Sequence, residues 1–172
     1  MERLIALAFI ILVAVGTRGN ATTPLTRICF FSEQSDEISA ECTYQIRQVF
    51  EAWQSVNGYL MQADAALRAE MLRRSGTLLV FVSGHSDRRE NSQPLGLRRA
   101  RAVVRSLLAA GIPADRFIVY GFGGTRPLVP TAANVSEPQN RNVMMAISES
   151  RQPSTQVNDY DRDQSTGHRK VE

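Results

Sequence analysis

Two charged residues in this chain are placed where their neighbours do not account for them. Asp87 closes the run Gly84-His85-Ser86-Asp87, which follows directly on the apolar segment Thr77 to Ser83. Residues at the end of a rigid strand are well placed to hold a ligand. An aspartate there can cap the next element, or it can accept hydrogen bonds from a cation. Arg99 lies on a segment with helical spacing. At about 100° per residue, Ala100, Val103, Val104, Leu107 and Leu108 form one apolar arc. Arg98, Arg101 and Arg105 cluster on the opposite side and read as a solvated face. Arg99 projects from the other flank, beside Val103. A guanidinium at the edge of a core face needs an acceptor. That acceptor is either a structural salt-bridge partner or a ligand carboxylate gripped through two hydrogen bonds. His85 reads as an ordinary structural histidine.

Other chemistries find little support. The histidines are His85 and His168, too few for a metal cluster, and no Gly-x-Ser-x-Gly elbow is present. A formal charge of +3 with no aromatic-interleaved basic stripe does not point to nucleic acid. The chain is therefore expected to be a binding protein without a cofactor rather than an enzyme.

The elements that must position Asp87 and Arg99 follow from periodicity. Arg27 to Ser32 is β-branched and aromatic enough for a strand. Ile46, Val49, Phe50 and Trp53 fall at i, i+3, i+4, i+7, the stripe of an amphipathic helix. Asn57-Gly58 reads as a turn or helix end. Leu60, Ala63, Leu67 and Met71 give a second helical pattern, with Gly76 just beyond its basic end. Thr77 to Ser83 is a nearly all-apolar strand, which predicts burial on both faces. Asn91 or Ser92 can cap a helix with Pro94 in its first turn and a stop at Gly111. Phe117 to Tyr120 is a third strand. Gly121, Gly123 and Gly124 predict a flexible turn, and Val143 to Ile147 a last strand. The order β-α-α-β-α-β-β is that of an α+β two-layer sandwich.

The ends differ from the middle. Leu4 to Val15 is an uncharged run of about a dozen residues, shorter than the roughly 20 a membrane span needs. It suits a signal peptide over residues 1–21, with Gly19 and Ala21 at the −3 and −1 positions of a cleavage site. Cleavage after Gly16 and an uncleaved N-terminal anchor are the alternatives; export is expected either way, with no membrane span remaining if the signal is cleaved. Residues 22–149 form the folded domain. Residues 150–172 lack an apolar period and are expected to be disordered. Cys29 and Cys42 are an even pair in an exported chain, compatible with a disulfide if their Cα atoms lie within about 7 Å, or with two buried thiols.

Four segments, in order and at near-regular spacing, resemble one family. GHSD (84–87), LGLRRARAVVRSLLAAGIPADRF (95–117), GFGGTRP (121–127) and NRNV (140–143) are similar to the motifs of the OmpA-like domain. That module is also found in peptidoglycan-associated lipoproteins and the flagellar stator protein MotB. The resemblance implies a βαβαββ sandwich, here with an extra helix in the first crossover. It implies non-covalent binding of the peptidoglycan stem peptide, chiefly at meso-diaminopimelate, in the periplasm or envelope of a Gram-negative bacterium. By resemblance, Asp87 receives the diaminopimelate ammonium and Arg99 its carboxylate. Leu95 packs behind them. Gly84 and Ser92 belong to the same loop motifs, and Asn140 and Arg141 rim the site.

Several positions depart from the family pattern. The loop from Asp87 to Leu95 is a few residues short. Ser92 stands where the family has asparagine, Ser32 where an aspartate is frequent, and Asn142 where a second arginine is usual. The alternative is an envelope adaptor of the same fold that binds a protein partner through the extra helix or the tail.

Overall fold

The computed structural model describes residues 25–75 and 77–150. The expected signal peptide, the tail from residue 151 and Gly76 lie outside the described residues. The chain runs β1 (Leu25–Phe30), α1 (Ala40–Gln62), α2 (Ala65–Ser75), β2 (Thr77–His85), α3 (Gln93–Ala110), β3 (Phe117–Gly123) and β4 (Asn142–Ser150). Short 3-10 turns occupy Ala114–Arg116 and Pro138–Asn140. The sheet order is β1-β4-β2-β3. β2 and β3 are parallel, and the other neighbours are antiparallel. This is the expected α+β sandwich, with α1 and α3 packed on one face.

The core lies between that face and the two helices. Val80 and Val82 of β2, Val119 of β3, and Val143 and Met145 of β4 meet Val49 and Trp53 of α1 and Val103, Val104 and Leu107 of α3. The predicted burial of β2 on both faces is corrected in part, because among the described residues no helix packs on the other side of the sheet, where Leu79 alone of the strand's apolar side chains is buried. Phe81 and Ser83 on that side are only partly buried. Cys29 of β1 and Cys42 of α1 are joined in a disulfide with Cα atoms 4.7 Å apart. The bond ties the first helix to an edge strand.

Two turn assignments are also corrected. Asn57-Gly58 does not end a helix, since α1 continues to Gln62. The break comes where Ala63 turns extended. The Asp64 carboxylate then accepts the Leu67 N–H at 2.8 Å, starting α2. The Arg68 guanidinium donates to the carbonyls of Leu60, Met61 and Ala63, which the end of α1 leaves without helical partners. Leu60 therefore belongs to α1, and α2 alone carries Leu67 and Met71.

Gly121 and Gly123 are strand residues rather than a flexible turn. They let α3 approach the sheet closely, as do Gly84 and Gly96. A Cβ on Gly84 would lie 1.9 Å from the Gly96 carbonyl oxygen. Gly123 also has φ of +54°, which other residues adopt at a cost. This contact sets the first turn of α3 against the ends of β2 and β3, where the charged residues gather.

Gly84→Ala should cost on the order of 3 kcal/mol by overpacking. Gly58→Ala, mid-helix with nothing within 4 Å of the new methyl, should instead stabilise by about 0.5–1 kcal/mol. Urea denaturation midpoints of the two variants check both signs.

Candidate functional site

The site starts at an irregularity in the sheet. The register of β2 on β3 shifts between Gly84 and His85, so His85 pairs with Gly123. The Ser86 N–H then donates to the Gly123 carbonyl at 3.0 Å. Such a bulge re-aims the chain, and Asp87 turns inward, fully buried. Its Oδ1 accepts the N–H groups of Arg89 (3.0 Å) and Glu90 (2.7 Å). Its Oδ2 accepts the Arg141 Nη1 at 2.9 Å, the Glu137 N–H at 3.2 Å and the Ser136 hydroxyl at 3.3 Å. Both roles open to an aspartate at this position are filled at once, a turn cap and a partner for a cation. Burial alone would raise the Asp87 pKa. The hydrogen bonds from Glu90, Arg141 and Glu137 and the Arg141 charge outweigh it and hold the carboxyl below its ordinary value.

Ser92 is the cap of α3, accepting the Leu95 N–H at 3.3 Å. It follows Asn91, which has φ of +37°, a left-handed value that asparagine tolerates. Leu95 is buried. Gly84 makes the close contact with α3 described above. Asn140 is buried and clamps the preceding loop, accepting the Val129 N–H and donating to the Val129 carbonyl and the Thr131 hydroxyl. It is an interior clamp, not a rim residue.

Arg99 is fully buried, and all five of its N–H donors are engaged. Nε donates to the Ser35 carbonyl at 2.7 Å. Nη1 donates to the His85 carbonyl at 3.0 Å and to Glu90 Oε2 at 2.8 Å. Nη2 donates to the Ser32 carbonyl at 3.0 Å and to Glu90 Oε1 at 2.8 Å. The guanidinium grips a carboxylate through two bonds, as its geometry favours, but that carboxylate belongs to Glu90. Both side chains are 0% exposed. Glu90 also accepts the N–H groups of Gln34 at 2.6 Å and Asp87 at 3.3 Å. Nothing in the sequence alone singled out Glu90. The signal was an acid inside the shortened loop, nine residues before an arginine at a core edge.

Arg141 links the two halves of the site. Besides Asp87, it bonds the Phe31 carbonyl through Nε and the Ser136 hydroxyl through Nη1. It borders a cleft of about 310 Å³ lined by Phe30, Phe31, Ser32, Pro138 and Gln139. His85 is buried with its ring 5.4 Å from that of Phe122. Burial and the charge of Arg126 lower its pKa against a hydrogen bond to the Arg126 backbone that acts the other way. Among the described residues there is no cluster that could hold a metal and no helix long and apolar enough to cross a membrane.

A sequence model of the OmpA family matches residues 60–141. The chain carries an OmpA-like domain. An outer membrane protein of Gluconacetobacter diazotrophicus is 45% identical over 53 residues, 31% of this chain and 14% of that protein. The sodium-type flagellar protein MotY of Vibrio parahaemolyticus is 29% identical over 70 residues, 41% of this chain and 24% of that protein. The chain thus matches under a quarter of the length of these curated relatives. The OmpA-like domain of FopA1 from Francisella tularensis superposes with a TM-score of 0.51 at 17% identity, covering 74% of this chain and 76% of that one. The peptidoglycan-associated lipoprotein of Burkholderia pseudomallei gives 0.51 at 19% identity, covering 71% and 90%. At these identities the superpositions establish the OmpA-like fold.

Glu90→Ala leaves Arg99 charged and buried without its counter-ion. It should cost about 3–5 kcal/mol, read from urea unfolding. Because the folded Asp87 pKa is depressed, its contribution is present above the unfolded value of about 3.9 and is lost as pH falls through the lower folded value. The stability gap between the parent and Asp87→Asn should therefore be large at pH 7 and narrow as the pH drops below about 4. A gap independent of pH would remove the ion pair from the account. Asp87→Asn is not expected to lose binding with its stability intact, because five hydrogen bonds are at stake.

Proposed function

We propose that this chain is an exported envelope protein whose OmpA-like domain holds it non-covalently to peptidoglycan, through a stem peptide containing meso-diaminopimelate. The observation that carries this reading is the pair of buried ion pairs, Asp87–Arg141 and Glu90–Arg99, at the sheet end beside an open cleft. The Asp87 bonds fix the Arg141 cation in place before a ligand arrives, and the fully engaged Glu90–Arg99 pair holds the surrounding loops, which together reduce the ordering cost of binding. The peptidoglycan-associated lipoprotein among the superposed structures carries that association in its name. The activity is binding rather than catalysis, and the location is the periplasm or cell envelope.

A second reading, an adaptor for another envelope protein, is favoured by the extra helix. Tyr59 and Met61 near the end of α1 and Leu67 and Leu72 on α2 are exposed apolar side chains. These exposed apolar side chains lie on two successive helices that a partner could meet.

Sedimentation with insoluble peptidoglycan separates the two. The full chain should pellet with meso-diaminopimelate sacculi and bind at least about tenfold more weakly, roughly 1.4 kcal/mol, to sacculi with lysine at that position, which lack the second carboxylate. A chain that stays in the supernatant with both would remove the wall-binding reading and turn attention to α2.

A further inference from the structure

Resting on the wall-binding reading, we infer that the ligand carboxylate is received by Arg141, in the cleft beside Phe30, Pro138 and Gln139, and not by Arg99. Arg99 has no N–H to offer, because its five donors already meet Glu90 and three backbone carbonyls. An incoming carboxylate could reach it only by expelling Glu90. That would also leave the Gln34 and Asp87 N–H groups without their acceptor. The chain's own side chain fills the seat.

Arg141 is in the opposite state. It is 9% exposed, and its side chain opens on the cleft. Nε and Nη1 are held by the Phe31 carbonyl, Asp87 and the Ser136 hydroxyl. These bonds fix the plane of the guanidinium. Its Nη2 makes no hydrogen bond among the described residues, so two N–H groups on a rigid cation have no protein acceptor. A carboxylate is the natural acceptor for such a group. The walls suit the rest of a peptide end. Phe30 is 47% exposed and gives a surface for an aliphatic chain, with Pro138 beside it. Ser32 and the exposed Gln139 add polar groups at the mouth. The substitution of Ser32 at a position where the family often has aspartate fits the same reading, since no acid stands in the cleft wall to repel the anion.

The test avoids Arg141 itself, whose loss would orphan the buried Asp87. Gln139 lines the cleft, and its side chain makes no hydrogen bond among the described residues, so its charge can be changed with little effect on the fold. The full chain, Gln139→Glu, Gln139→Lys and Glu90→Gln are each titrated against meso-diaminopimelate sacculi. The expected result is several-fold weaker binding for Gln139→Glu, several-fold tighter binding for Gln139→Lys, and no gain for Glu90→Gln. If the parent pellets, the Gln139 variants match it and Glu90→Gln binds more tightly, Arg99 is the receiving group and this placement is overturned while wall binding stands. If the parent does not pellet, the wall-binding reading fails and the placement fails with it.

Discussion

The Arg99–Glu90 pair is the interaction on which the rest of this domain end depends. Two charges are removed from water, so every lone pair and N–H they carry must be matched inside the protein. Meeting that requirement draws in the β1–α1 loop through Ser32, Gln34 and Ser35, the end of β2 through His85, and the turn before α3 through Glu90 itself. Three segments, one of them 64–67 residues away in sequence, are thereby locked to one helix. The Phe31 ring centre lies 5.5 Å from the guanidinium carbon. The same guanidinium-on-carboxylate geometry that binds a ligand in one setting serves here to close the structure.

A second pair beside it has a different character. Asp87–Arg141 is also buried, but Arg141 stands at the wall of an open cleft with part of its donor capacity unspent. Asp87 acts as the fixed anion that orients this cation, and it is itself fixed by four further hydrogen bonds. The bulge at His85, the glycine contact between β2 and α3, and the Ser92 cap all serve to place these groups. Rigid elements hold them, and the shortened loop between Asp87 and Leu95 brings Glu90 within reach of Arg99.

Much of the fold was legible in the sequence because it rests on periodicity. The arc of Val103, Val104 and Leu107 buries as its spacing requires, and so does the stripe of Ile46, Val49 and Trp53. What failed was local punctuation whose meaning depends on tertiary neighbours. Asn57-Gly58 costs a helix little, and α1 runs through it until Arg68 caps its carbonyls. Gly121 and Gly123 signal either a turn or a close approach, and only the position of α3 decides which. In the site, the oddity of Arg99 was visible, since a cation on a core flank must have a partner. That the partner is Glu90 was not visible, because the pairing depends on how a turn folds back across the helix start. Arg141 was placed at the rim, and it lines the cleft there; its role as the fixed partner of Asp87 was not visible.

The most direct measurement is an NMR titration of the full chain, with the arginine side-chain N–H resonances assigned, against a soluble stem peptide containing meso-diaminopimelate. The account predicts that the Arg141 side-chain signals move in step with saturation while the Arg99 signals stay in place with Glu90 still bound. Movement of the Arg99 signals with loss of the Glu90 pair, or no movement at either arginine, would contradict it.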